Sequence, residues 1–127
     1  MLLIDTDVMI WYLRGNEKAK KIIDSGNPFR LSVVSYMELV QGMRNNNELR
    51  LLRAAMREWG TQIIYLNEEV SSKAVFYIEQ HFLSNSLEIA DALIAATAVI
   101  NGFELLSGNT KHFRIIKELN VKQFRSS

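Results

Sequence analysis

Short apolar runs alternate along the chain with longer stretches whose apolar residues return at helical spacing. Leu2, Leu3 and Ile4 form a run too brief and continuous to alternate, which predicts a short buried strand. Thr6 or Asp7 can cap a helix reaching about Leu13, which the Arg14-Gly15-Asn16 turn ends. A second helix is predicted over residues 17–24, closed by the Gly26-Asn27-Pro28 turn. Residues 29–34 read as a second strand, and Ser35-Tyr36-Met37-Glu38 opens a helix to about Met43. Leu49, Leu52, Met56 and Trp59 recur at helical spacing, so residues 48–59 are an amphipathic helix that Gly60 stops. A third strand follows over residues 63–66.

In the second half, Val70, Ala74, Tyr77, Ile78 and His81 share one helical face. Residues 89–100 are apolar almost all round, which marks a helix buried within the domain. Gly102 ends it, and residues 103–106 read as a fourth strand. A last helix is predicted over residues 111–119, and residues 121–124 add a candidate edge strand. Strands alternating with helices predict an α/β domain with a mainly parallel four- or five-stranded sheet flanked by helices on both faces. One proline and six glycines are scattered without linker, repeat or low-complexity tract, so residues 1–127 read as a single domain.

Parallel sheets of this kind form their sites beyond the carboxyl ends of the strands. Acids stand there. Asp5 directly follows the first strand, Glu38 opens the helix after the second, and Ser107 to Asn109 follow the fourth. Asp91 lies near the start of the apolar helix that feeds the fourth strand. Two unit charges about 5 Å apart repel by roughly 3 kcal/mol at an effective dielectric of about 20, so converging carboxylates need protons or a cation. All-oxygen ligation suits a hard divalent ion, which makes Mg²⁺ or Mn²⁺ the natural partner. Such an ion can activate water and neutralise a phosphodiester.

Each acid also has a plainer reading. Asp5 can simply cap the first helix, an equal alternative to a chemical role. Glu38 forms a capping box with Ser35, and for Glu38 alone that reading is favoured. Asp91 resists the plain reading: it is the one charge within residues 89–100, and a lone buried charge is costly unless paired or metal-bound. A first-turn acid favoured by the helix dipole is its alternative.

Composition narrows the rest. The absence of cysteine removes disulfides, zinc–thiolate sites and thiol nucleophiles, and it suits the cytoplasm better than secretion. Asp5 and Asp7 interrupt the opening apolar run and no basic segment precedes it, so no signal peptide is expected. The longest apolar stretch is too short to span a bilayer, so no membrane association is expected. Net charge is only +1, from 15 basic and 14 acidic side chains, so any nucleic-acid function must rest on local clusters. His81 reads as structural, no His-x-x-His spacing supports zinc, and neither a phosphate loop nor a Gly-x-Gly-x-x-Gly motif is present. A phosphoacceptor receiver domain would need a mid-chain aspartate, and residues 49–60 contain none.

Four segments carry a family resemblance. Leu2-Leu3-Ile4-Asp5-Thr6-Asp7-Val8-Met9-Ile10, Ser35-Tyr36-Met37-Glu38-Leu39 with Gly42, Asp91-Ala92-Leu93-Ile94-Ala95-Ala96-Thr97-Ala98, and Leu105-Leu106-Ser107-Gly108-Asn109-Thr110-Lys111-His112-Phe113 stand in order over nearly the whole chain. They resemble the motifs of PIN-domain ribonucleases, in particular the VapC-type toxins of toxin–antitoxin pairs. The resemblance implies Asp5, Glu38 and Asp91 as the catalytic and metal-binding acids, with Thr6 and Ser107 in support. It further implies Mg²⁺- or Mn²⁺-dependent cleavage of RNA (tRNA or rRNA among relatives), a homodimer, and a cognate antitoxin that silences the toxin, in a hetero-oligomer with it. Hydrolysis by metal-activated water would leave a 5′-phosphate and a 3′-hydroxyl.

Two positions depart from the family pattern. Asn109 stands where an acid is frequent, which lowers the charge available for a second ion. Asp7 stands where asparagine or serine is common; it is read here as a helix cap, ranked below the other three acids. Arg14, Lys111, His112 and Arg114 flank the motifs and are the candidate phosphate contacts to RNA. Trp11 and Tyr12 read as core aromatics on the first helix. The alternative is a catalytically idle PIN module that binds RNA or a partner, for which Asn109 is the foothold.

Overall fold

The computed structural model describes residues 1–84 and 86–127. Five parallel strands form one sheet: β1 (Leu2–Ile4), β2 (Phe29–Ser32), β3 (Gln62–Ile64), β4 (Glu104–Ser107) and β5 (Val121–Gln123), in the spatial order β3-β2-β1-β4-β5. The connecting helices are α1 (Thr6–Leu13), α2 (Glu17–Ile23), α3 (Val33–Gln41), α4 (Asn46–Trp59), α5 (Glu68–His81), α6 (Ile89–Asn101) and α7 (Thr110–Phe113), with a 3₁₀ turn at Phe82–Ser84. This is the expected α/β architecture, with five strands all parallel.

Side-chain alternation along the strands builds two cores. Leu3 and Leu105 point into one, with Val70, Ala74 and Tyr77 of α5 and the inner face of α6. Ile4, Leu31 and Leu106 point into the other, with Val8 and Met9 of α1, Leu39 of α3, and Leu52 and Met56 of α4. Ala92, Ala95, Ala96 and Ala98 of α6 are fully buried, and their small side chains let that helix lie close to its neighbours. Left-handed glycines end two helices as expected: Gly60 at φ 65° closes α4 and Gly102 at φ 69° closes α6.

Several boundaries differ from the sequence reading. The β-branched pair Val33 and Val34 reads as strand, but Ser32 accepts a 3.1 Å hydrogen bond from the Val34 amide and starts α3 there. The capping box expected from Ser35 and Glu38 therefore does not form, and both residues lie inside the helix. Asn45 caps α4 through the Glu48 amide, so that helix starts at Asn46. The last helix is only α7; beyond it, successive turns keep Ile116 and Leu119 buried. Tyr12 packs edge-on against Trp59 at 5.3 Å, whereas Trp11 is 37% exposed and not core. Among the described residues no helix is long and apolar enough to cross a membrane.

Chain order runs outward from β1 to β3 on one side, then returns to place β4 on the other flank of β1. The reversal makes the carboxyl ends of β1 and β4 a topological switch point, the place where sheets of this kind form their sites. Because Leu105 is fully buried at the heart of β4, Leu105→Ala is expected to cost about 3 kcal/mol. Urea unfolding should show a lower midpoint at unchanged slope; an unaltered midpoint would remove β4 from the core.

Candidate active site

Among the described residues, five of the six buried polar or charged ones, Asp5, Ser32, Ser35, Ser107 and Thr110, lie at or just beyond strand ends. The sixth, Thr97, bonds the Leu93 carbonyl of its own helix. Polarity inside this domain is thus concentrated at one edge of the sheet.

Asp5 is the one acid among these groups, 6% exposed. It is also the N-cap of α1, the plainer of the two roles expected for it and the place also offered to Thr6 or Asp7: its Oδ1 accepts from the Thr6 amide at 2.8 Å. Ser107, at the end of β4, donates to Asp5 Oδ2 at 2.7 Å, and the Asn109 amide donates to Ser107 Oγ at 3.0 Å. Both carboxylate oxygens are therefore fixed from the protein side. Burial, with Asp7 nearby, still pushes the Asp5 pKa up to about 6.

Thr6 links Asp5 to the second acid. Its Oγ1 lies 2.6 Å from Glu38 Oε1 and 2.9 Å from Ser35 Oγ. A hydroxyl has one proton, so Thr6 donates to the carboxylate and Ser35 donates to Thr6. The placement of Ser35 and Glu38 one turn apart in α3 makes this possible. Asp91 approaches from α6, in a capping box with Glu88 whose amide lies 3.3 Å from Asp91 Oδ2. His112 Nδ1 sits 3.6 Å from the same oxygen. Burial raises the Asp91 pKa, with the nearby Glu88 and Glu38 charges acting in the same direction. Asp5, Glu38 and Asp91 thus share one electrostatic neighbourhood. As placed, no three His, Cys, Asp or Glu side chains among the described residues close to metal-holding geometry.

Asp7 does not cap the helix. It reaches across to the loop after β4, where its Oδ2 accepts from the Gly108 amide at 3.0 Å. Its Oδ1 is buried with no partner, and burial raises its pKa. A Cβ at Gly108 would stand 2.6 Å from Asp7 Oδ2, so this approach requires glycine. Gln123 braces the loop from β5, donating to the Gly108 carbonyl at 3.2 Å and accepting from Thr110 at 2.7 Å. Neither contact was visible in sequence, because each joins residues with no local pattern in common.

The remaining candidates sit around this edge. Arg14 ends α1 with its guanidinium 5.9 Å from the Trp11 ring, and lines a groove of about 850 Å³ that also contains Glu38. Lys111 and Arg114 are exposed beside His112. Asn109 is exposed; its side chain makes no capping bond to α7.

Oxygen donors, with three carboxyl pKa values raised by desolvation, are a donor set that suits a hard divalent cation, since such an ion relieves the cost of charge there. The orphan Asp7 Oδ1 is consistent with that fit.

The PIN-domain family model matches residues 2–119. Ribonuclease VapC10 of Mycobacterium tuberculosis is 33% identical over 125 residues, covering 94% of this chain and 90% of the relative. A solved toxin–antitoxin complex from Klebsiella pneumoniae aligns with TM-score 0.76 at 26% identity, covering 97% of both chains. VapBC-1 from nontypeable Haemophilus influenzae aligns with TM-score 0.79 over 96% of both chains; at 19% identity this is a likeness of fold alone.

Two predictions follow from the geometry. With chelator present, Asp5 holds its proton to about pH 6 when folded, against 3.8 for an ordinary carboxyl. The folded state then binds more protons than the unfolded one in that window, so stability falls as pH rises from about 4 to about 6, by about 3 kcal/mol. Asp5→Asn should flatten the fall in thermal or urea unfolding; a stability that rises through this window contradicts the desolvation account. Gly108→Ala should destabilise by about 1–3 kcal/mol through overpacking against Asp7. Adding Asp7→Ala should recover at least half of that loss, and strict additivity of the two changes would show that they do not meet.

Proposed function

The chain belongs to the PIN-domain family, in its VapC-type branch, and from that membership we propose that it is an Mg²⁺- or Mn²⁺-dependent endoribonuclease serving as the toxin of a toxin–antitoxin pair. The observation that carries the reading is the assembly of Asp5, Glu38 and Asp91 from three separate elements at the carboxyl edge of the sheet, two of them joined by Thr6. Relatives named as ribonucleases support it.

Asp5, Asp91 and Glu38 are the residues that would hold the ion. When bound, it supplies a water of lowered pKa and positive charge opposite the phosphodiester. The protein's own part is orientation. Ser107 and the Thr6 amide fix Asp5, the Thr6 hydroxyl turns Glu38 inward, and His112 stands beside Asp91 within reach of a phosphate oxygen. Arg14, Lys111 and Arg114 ring the edge with cations for neighbouring phosphates. In-line attack by water leaves a 5′-phosphate and a 3′-hydroxyl. Asn109 offers a neutral amide where relatives often carry an acid, which favours one tightly held ion and a second recruited only with substrate.

The substrate class we assign is structured cellular RNA, tRNA or rRNA, cut in single-stranded loops. The groove between α1, α3 and α4 presents Ile10, Leu13, Leu39, Met43 and Leu51 beside Glu38 and suits an apolar segment of the antitoxin, which in that seat would cover Glu38. Exposed Val75, Phe76, Phe82, Leu83 and Ile89, around the end of α5 and the start of α6, support homodimerisation. A cytoplasmic site of action follows from the RNA substrate.

Antitoxin-free protein is expected to cut total cellular RNA into discrete fragments with Mg²⁺ or Mn²⁺ and not with chelator. Asp91→Asn should lower the rate at least about 100-fold, since even outer-shell partners of a metal ligand cost 10–100-fold. Cyclic-phosphate ends would overturn the hydrolytic route. Folded protein that binds RNA or antitoxin but cuts nothing would be the idle module instead.

A further inference from the structure

Helix α4 divides its surface sharply. Leu52 and Met56 are buried, and Glu48, Leu51 and Ala55 face the groove that contains Glu38. On another side, Arg50, Arg53 and Arg57 are all exposed, at spacings of three and four residues that put them in one row. With Asn46 and Leu49 they line a shallow open groove of about 420 Å³.

This row is poorly explained by stability. Arg50 with Arg53 and Arg53 with Arg57 are like-charge neighbours on the helix, an arrangement that weakens it. Among the described residues the ion pairs are Arg44 with Glu48, Lys73 with Glu118, and His112 with Asp91, so none includes the row. The Asn47 side chain is a neutral hydrogen-bond partner of Arg50. Only Arg57 gains from the negative end of the helix dipole. A protein whose net charge is +1 has therefore gathered three cations without local compensation.

We propose that this face of α4 is an anchoring surface for the phosphate backbone of RNA, away from the catalytic acids. The inference rests on the ribonuclease reading. From Arg50 to Arg57 the row rises about 10 Å along the helix, which fits a run of charges rather than one phosphate. All three cations are arginine, whose planar fork binds phosphate oxygens in pairs and stacks on bases, which a lysine ammonium does not. Carboxylates also pair with the fork, but in RNA every phosphate comes with a base on which the guanidinium can stack, so RNA is favoured. The surface serves to hold a long substrate while its scissile bond lies among the acids, which makes it a determinant of RNA length rather than of chemistry.

The test is RNA binding by the full chain in chelator, followed by fluorescence anisotropy over a salt series with a single-stranded RNA of about 20 nucleotides. The Arg50→Gln/Arg53→Gln/Arg57→Gln protein is compared with wild type and with Lys18→Gln/Lys20→Gln/Lys21→Gln as a charge-matched control. Each backbone phosphate released reduces the salt slope by about 0.7, so the arginine variant should lose about 2 from the slope and bind at least about tenfold more weakly near 0.1 M salt. The lysine control should keep the wild-type slope. With metal, cleavage of a long RNA should show raised KM at unchanged kcat, and unfolding should show no loss of stability, because like-charge contacts have been removed. An unchanged slope beside a wild type that binds RNA would overturn the α4 surface alone. A wild type that binds no RNA would overturn the ribonuclease reading with it. Loss of binding to polyglutamate with RNA binding unchanged would assign the face to an acidic protein partner and overturn the RNA assignment.

Discussion

The arrangement of this edge depends on one hydrogen-bonded carboxylate, Asp5, held almost out of water between the ends of two adjacent parallel strands. Its amide continues the sheet by bonding the Leu106 carbonyl, and its side chain joins the first amide of α1 to the last hydroxyl of β4. One residue thus ends a strand, begins a helix and ties together segments about a hundred positions apart. A structural cap would perform these tasks better near the surface, where desolvation is small. The burial that lifts its pKa to about 6 is a cost that capping alone does not explain. The plain and the chemical readings of Asp5 are therefore not rivals: the capping bonds hold the carboxylate where its charge is expensive.

That cost spreads over the neighbourhood. Asp7 and Asp91 are also held above the usual carboxylate range by burial, and each is tied to a different segment: Asp7 to the loop at Gly108, Asp91 to Glu88 and the vicinity of His112. Glu38 is tied through Thr6 to the segment carrying Asp5. No two of these acids come from the same helix turn except Asp5 and Asp7. The site exists only once the strand order has closed, because β1 must lie beside β4 before Ser107 can reach Asp5.

Much of this was legible in the chain because it rests on local rules. A continuous apolar triplet gave β1, a helix apolar on nearly every side gave α6, and its solitary Asp91 stood out against that background. Placing acids after strands gave the edge at which they gather. What escaped reading is what local rules decide badly or not at all. Val33 and Val34 favour a strand by side-chain shape, yet the Ser32 hydroxyl offers the backbone a helix start, and the cap prevailed. Ser35 was assigned a capping role from its spacing to Glu38, whereas it supports Glu38 indirectly through Thr6. The Asp7–Gly108 and Gln123–Gly108 contacts join residues 101 and 15 positions apart, and no periodicity announces them.

The charge distribution completes the physical picture. A net charge of +1 describes neither end of this molecule. Its sheet edge concentrates carboxylates whose repulsion disfavours any polyanion until that charge is neutralised, while the cations of α4 and of the α7 neighbourhood stand outside it. A polyanionic substrate meeting such a surface gains binding energy away from the reacting bond and spends part of it where the carboxylates lie. Separating attraction from chemistry in this way lets Asp5 remain buried and Asp7 and Asp91 half-buried, strained by desolvation and fixed by neutral donors. Lysines or arginines placed among them would pair with the carboxylates and lower their pKa values. Fixation at the proposed catalytic edge by Thr6, Ser107 and the Gly108 amide, none of them charged, preserves the unmet demand for positive charge that a divalent cation would satisfy.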